Sequence, residues 1–149
     1  MTKRLNSFEV SPQAMQILLD QEKYFKKQFE DNVKLWELVK LRVSQMNQCG
    51  YCIDMHSKDA LKLGESIERI YGLTAWQEMP FYSETERNAL NWAELITLGQ
   101  TVNDVQYQTA LNALGEFTLC NLTLAINAIN SWNRISKAFK PEVGSYIAS

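Results

Sequence analysis

Cys49, Cys52 and the chain's only histidine, His56, fall at positions i, i+3 and i+7. A helix gathers residues at that spacing on one face about two turns long, so two thiols and an imidazole converge there. The segment is expected to be helical from about Cys49, with Asn47 offering a side-chain cap before it and Gly64 a stop after Leu63. Both cysteines would then lie in the first turn. Unpaired backbone N–H groups and the positive end of the helix dipole favour an anion in that place, which lowers a thiol pKa. Cβ atoms at i and i+3 of a helix lie about 5 to 6 Å apart, whereas bridged ones need about 3.8 Å. A disulfide here therefore requires the first turn to tighten, helped by Gly50, and is expected to be easily reduced.

The same residues admit other chemistry. Cys49, Cys52 and His56 could supply three zinc ligands with Cys120 or Glu37 as a fourth, although no second ligand pair stands at metal spacing. The two cysteines could also be small buried hydrophobes at core spacing. Glu37 sits beside the apolar stripe of the preceding helix. Partial desolvation of its carboxyl is expected there, which disfavours the charged form and suits a group that takes and releases protons. The competing reading is a surface glutamate paired with Lys34, Lys40 or Arg42.

The array Glu37, Cys49, Cys52, His56, written E-x11-C-x2-C-x3-H and followed by Ala60, resembles the core motif of the alkylhydroperoxidase D (AhpD)-like branch of the carboxymuconolactone decarboxylase superfamily. The likeness is strongest from Lys34 to Gly64 and looser through the second half of the chain. It implies an all-α domain of about six or seven helices that works as a thiol peroxidase without a cofactor or metal. In such an enzyme Cys52 attacks hydrogen peroxide or an organic hydroperoxide, Cys49 resolves the sulfenic acid into a disulfide, and Glu37 with His56 relays protons. It also implies an external dithiol reductant, a lipoyl or thioredoxin-like carrier, and a homo-oligomer built as a trimer or hexamer. One position departs from the pattern. The best-known members carry a histidine directly before the second cysteine, where this chain has Tyr51, and a phenol with an unperturbed pKa near 10 cannot serve as a base at neutral pH. Two other functions fit the motif less well. A lactone decarboxylase has no need of the cysteine pair, and a redox sensor or interaction module would oxidise once and stop, where a peroxidase turns over.

Composition narrows the field further. With 149 residues and 46% hydrophobic content, the chain is expected to form one domain over residues 1–149. Its net charge of −2, without clustered lysines or arginines, gives no footprint for nucleic acid or an anionic membrane. The opening MTKRLNSFEVSPQ lacks the apolar core of a signal peptide, and the odd cysteine count argues against a disulfide framework, so a cytoplasmic protein is expected. The uncharged run 117–133 contains four asparagines and reads as a buried or subunit-facing helix, not a membrane span.

Periodicity and capping signals predict helices over 12–29, 31–46, 49–63, 66–72, 84–98, 104–114 and 116–139. Asp31, Ser66 and Asp104 are the expected caps, with a capping box at Ser83 and Glu86. Val33, Trp36, Val39, Val43 and Met46 form the expected core stripe of the second helix. The charged residues near Lys23 read as a solvated face, the last helix as one buried on several sides, and Cys120 as a core thiol.

Overall fold

The computed structural model describes residues 2–149. Among them are eight α-helices and no strand: α1 (Ser7–Val10), α2 (Pro12–Gln28), α3 (Val33–Met46), α4 (Gly50–Lys62), α5 (Ile67–Gly72), α6 (Glu84–Leu98), α7 (Asp104–Leu114) and α8 (Glu116–Phe139). Short 3-10 turns at Glu30–Asn32 and Leu73–Ala75 complete the path. The expected count of six or seven is thus exceeded by the single-turn α1, which Asn6 caps by accepting from the Phe8 N–H. Four residues are too few to carry a helical period.

Helix α3 lies at the centre and packs on α4, α6 and α8. Every residue from Leu35 to Val39 is buried, as are Leu41, Val43 and Ser44, so the expected stripe widens into an all-round buried surface. Trp36 anchors it between Phe25 and Phe29, stacking on Phe29 at 5.2 Å. The last helix is less enclosed than its composition suggests, since Phe117 is 64% and Leu124 49% exposed. No helix among the described residues is long and apolar enough to cross a membrane.

Several caps differ from expectation. Ser66 and the Ser83–Glu86 box act as read, but Asp31 lies in a 3-10 turn before α3, and Asn103 caps α7 in place of Asp104. Asn103 exchanges bonds with Gln106 in a capping box of its own, which an amide pair forms as well as the usual hydroxyl and carboxylate. Asn47 does not cap α4. It ends α3, and its side-chain amide donates to Asn130 Oδ1 at 2.8 Å and Asn133 Oδ1 at 2.9 Å on α8.

That contact fixes the reversal between α3 and α4. Asn133 donates in turn to Ser44 Oγ at 3.1 Å, and Lys137 donates to the Asn47 carbonyl at 2.8 Å. Gln48 takes a left-handed backbone with φ +52, and the Cys49 N–H closes the turn on the Ser44 carbonyl at 3.0 Å. Two of the four asparagines that make 117–133 too polar for a membrane, Asn130 and Asn133, are therefore groups that hold the turn. A buried donor or acceptor stripped of its partner costs about 1 to 3 kcal/mol. Asn133→Leu is expected to lower the unfolding free energy by about 2 kcal/mol by orphaning Ser44 and removing one of the two acceptors of the Asn47 amide; urea denaturation checks this, and an unchanged midpoint would refute the clamp.

Candidate active site

Cys49 occupies the N-cap of α4, with an extended backbone at φ −92 and ψ 95, and Cys52 is the third residue of the helix. The sequence reading put both in the first turn, but the cap residue leaves the helical cylinder. Its side chain can then reach Cys52 without distorting the helix, and the two sulfurs are bonded with Cα atoms 5.3 Å apart. Both cysteines are buried, at 1% and 2% exposure. They differ in what they face: Cys52 lines a cleft of about 1110 Å³, and Cys49 is not part of its walls.

His56, one turn beyond Cys52, lines the same cleft. Its Nδ1 lies 3.3 Å from Glu37 Oε2. A hydrogen on Nδ1 would be donated to the carboxylate and leave Nε2 as the acceptor. Glu37 is 4% exposed, which agrees with the expected desolvation, and its other oxygen pairs with the Lys40 ammonium. Lys40, one turn along α3, lies over the Trp36 ring at 5.3 Å. Of the other candidate partners, Lys34 donates to the Gly64 carbonyl and Arg42 to Glu94.

The charge state of Glu37 reverses the sequence expectation. Burial pushes its carboxyl pKa up, but the His56 hydrogen bond and the Lys40 charge outweigh burial and hold it below the ordinary 4.5. The carboxyl is held toward its charged form, with its Oε2 facing His56 Nδ1. Sequence spacing placed Glu37 near apolar neighbours but could not weigh the Lys40 charge and the His56 hydrogen bond against them.

Other side chains complete the surroundings. Tyr146, from the segment after α8, donates to Asp59 Oδ1 at 2.8 Å, and burial with that bond pushes its hydroxyl up to about 12. Lys58 and Lys62 hold the same segment along α4 by donating to the carbonyls of Gly144, Tyr146 and Ala148. Donor atoms of Glu37, His56 and Asp59 lie within 4.8 Å of one another, a spacing that could hold a cation. Lys40 already supplies that positive charge to Glu37, and Asp59 is committed to Tyr146. The zinc set of Cys49, Cys52 and His56 with Cys120 does not assemble. Cys120 is exposed, contrary to its reading as a core thiol, and lines a separate hollow with Trp92 and Tyr107.

The cleft has largely apolar walls. Leu19 of α2, Met55 of α4, and Ile129, Ile135 and Phe139 of α8 form much of it. The N-terminal segment covers it: Phe8 stacks against Trp132 at 6.4 Å, and the Arg4 guanidinium donates to the Ala138 carbonyl. Glu22 of α2 also lines the cleft, although its neighbours in sequence read as a solvated face. Tyr51 lines it too.

Comparison with known proteins gives concordant results. The profile of the carboxymuconolactone decarboxylase family matches residues 23–95, which include Glu37, Cys49, Cys52 and His56. The uncharacterized protein YdfG of Bacillus subtilis (strain 168) is 48% identical over 140 residues, 93% of this chain and 95% of that protein. The uncharacterized protein YnjA of Escherichia coli (strain K12) is 29% identical over 102 residues, 68% of this chain and 56% of that protein. A crystal structure of a protein of unknown function from Agrobacterium tumefaciens, described as a candidate antioxidant-defence protein AhpD, superposes with a TM-score of 0.90 and 31% identity. The match covers 97% of this chain and all of that one.

The buried ion cluster has a pH signature. A carboxyl whose folded pKa lies below its unfolded value stabilises the fold above the unfolded pKa, and that stability is lost as pH falls through the folded value. Glu37→Gln is expected to cost about 3 kcal/mol at neutral pH by leaving Lys40 and His56 without their anion. The deficit relative to wild type should shrink as pH falls from about 4.5 and Glu37 itself becomes protonated. Denaturant titrations of both proteins at several pH values check this; a deficit that does not change with pH would show the cost to be steric.

Proposed function

Because the chain belongs to the carboxymuconolactone decarboxylase family, we propose that it is a thiol-dependent peroxidase whose preferred substrates are organic hydroperoxides. One observation carries this reading: Cys52 and His56 open onto a large apolar cleft while Cys49 is joined to Cys52 from behind it. Hydrogen peroxide has no apolar part to place against Leu19, Met55 and Phe139. An alkyl or aryl hydroperoxide gains binding from those walls and presents its O–O bond to the sulfur.

In the reduced enzyme the first turn of α4 favours the Cys52 thiolate through its free N–H groups and dipole. His56, oriented by Glu37, takes the thiol proton. The thiolate attacks the terminal oxygen and the O–O bond breaks. Cys52 becomes a sulfenic acid, and the substrate leaves as an alkoxide that needs a proton to become the alcohol. Cys49 then condenses with the sulfenic acid, releasing water and forming the Cys49–Cys52 disulfide. An external dithiol, a lipoyl or thioredoxin-like carrier, exchanges with that bond and is itself oxidised. Tyr51 contributes at most a hydrogen bond. A cytoplasmic setting suits such a cycle, since a dithiol supply is maintained there.

A peroxide-consumption assay with dithiothreitol and cumene hydroperoxide tests the proposal. Cys52→Ser is expected to abolish turnover, and reduced Cys49→Ser freed of dithiothreitol to consume one equivalent of peroxide and stop at the sulfenic acid. His56→Gln and Glu37→Gln should each lose about 10² to 10⁴ in rate, and Tyr51→Phe little. Wild type that oxidises once and consumes no further peroxide would instead favour a redox switch.

Assembly belongs to the same reading. Val105 (76% exposed) and Tyr107 (48%) of α7 and Phe117 and Leu124 of α8 leave apolar surface that a trimer or hexamer would cover. Light scattering at micromolar concentration is expected to give such an oligomer, and a monomer would remove the claim.

A further inference from the structure

In the cleft two buried polar atoms lack any hydrogen-bond partner: Glu22 Oε1 on α2 and the Trp132 indole Nε1 on α8. The indole lies near enough to favour the ionised carboxyl slightly, but the pair does not close a bond of proper geometry. Buried polar groups are almost always satisfied, so two unsatisfied ones beside each other in a site wall point to a ligand that satisfies both. Neither is used by the thiol, the imidazole or the Glu37–Lys40 pair.

From this juxtaposition we infer that Glu22 is the general acid that protonates the leaving oxygen of an organic hydroperoxide, with the Trp132 N–H fixing the peroxide beside it. The inference rests on the peroxidase reading and adds the group that completes its first step. A hydroperoxide head offers one O–H donor and two acceptor oxygens. A neutral carboxyl offers one donor and one acceptor, and an indole offers one donor, so the two sets are complementary.

The surroundings favour the proton-carrying form of Glu22. Burial pushes its carboxyl pKa up, against the smaller opposing pull of Lys40 and His56, and Glu37 adds to the rise. The two carboxyls are thereby set apart, Glu37 shifted toward its charged form and Glu22, in the cleft wall, toward its neutral one.

The step balances. The Cys52 thiolate forms an S–O bond to the terminal oxygen as the O–O bond breaks, and the electron pair leaves on the carbon-bound oxygen. Glu22 transfers its proton there, giving the alcohol and a Glu22 carboxylate. The thiol proton held by His56 then restores the neutral carboxyl directly or through water, so the sum is thiol plus hydroperoxide going to sulfenic acid plus alcohol.

Leaving-group dependence tests the assignment. Cumene hydroperoxide expels a strongly basic alkoxide that needs the acid, while peroxybenzoic acid carries a similar aryl body and expels benzoate, which does not. In stopped-flow oxidation of the reduced full-length protein, Glu22→Gln is expected to slow the reaction with cumene hydroperoxide by about 10²-fold and to leave that with peroxybenzoic acid near wild type. The peracid arm also reports whether the variant is folded. Equal losses with both peroxides would make Glu22 a structural residue, and no loss with cumene hydroperoxide would make it a bystander; either overturns the inference. Wild type that reacts with neither peroxide would instead remove the peroxidase reading, and this inference with it.

Discussion

The reversal between α3 and α4 is the constraint on which the site depends. Glu37 lies on one of these helices and Cys52 and His56 on the other, so the angle at which the chain turns through Asn47, Gln48 and Cys49 sets every distance in the cluster. A three-residue turn with one left-handed, non-glycine residue is not held by local propensity. It is held from outside, by Asn130, Asn133 and Lys137 of α8, whose side chains bond Asn47 and Ser44. Polar groups in a buried helix cost free energy unless paired, and here the pairing is what specifies the turn.

A second constraint is the charge on Glu37. Taking a carboxylate out of water costs several kcal/mol, and only close cations and hydrogen bonds offset it. Lys40 and His56 supply these, and the balance falls on the ionised side. The same arrangement fixes the orientation of the imidazole on α4.

The cleft is completed by elements outside the motif. Phe8 against Trp132 and Arg4 on the Ala138 carbonyl bring the N-terminal segment over it. The residues that shape what the cleft admits, Leu19, Glu22, Trp132 and Phe139, lie outside the span matched by the family profile, residues 23–95. The family-matched cluster and much of the cleft wall thus come from different parts of the chain.

Much of this protein was determined by local sequence. Helix positions followed from apolar period and capping residues, and the convergence of Cys49, Cys52 and His56 was legible because a helix with fixed geometry turns spacing into proximity, whereas Glu37 on another helix was marked out by the family resemblance. What failed was whatever depended on distant partners. Asn47 looked like a cap because its neighbours suited one, yet its bonds go to α8; Glu37 looked like a neutral acid until Lys40 and His56 were placed around it. Glu22 read as a solvated residue and Cys120 as a buried one, and tertiary packing reversed both. The reason is physical: period and caps are short-range properties of a backbone, whereas burial, ion pairing and the walls of a cleft exist only once helices far apart in sequence have docked.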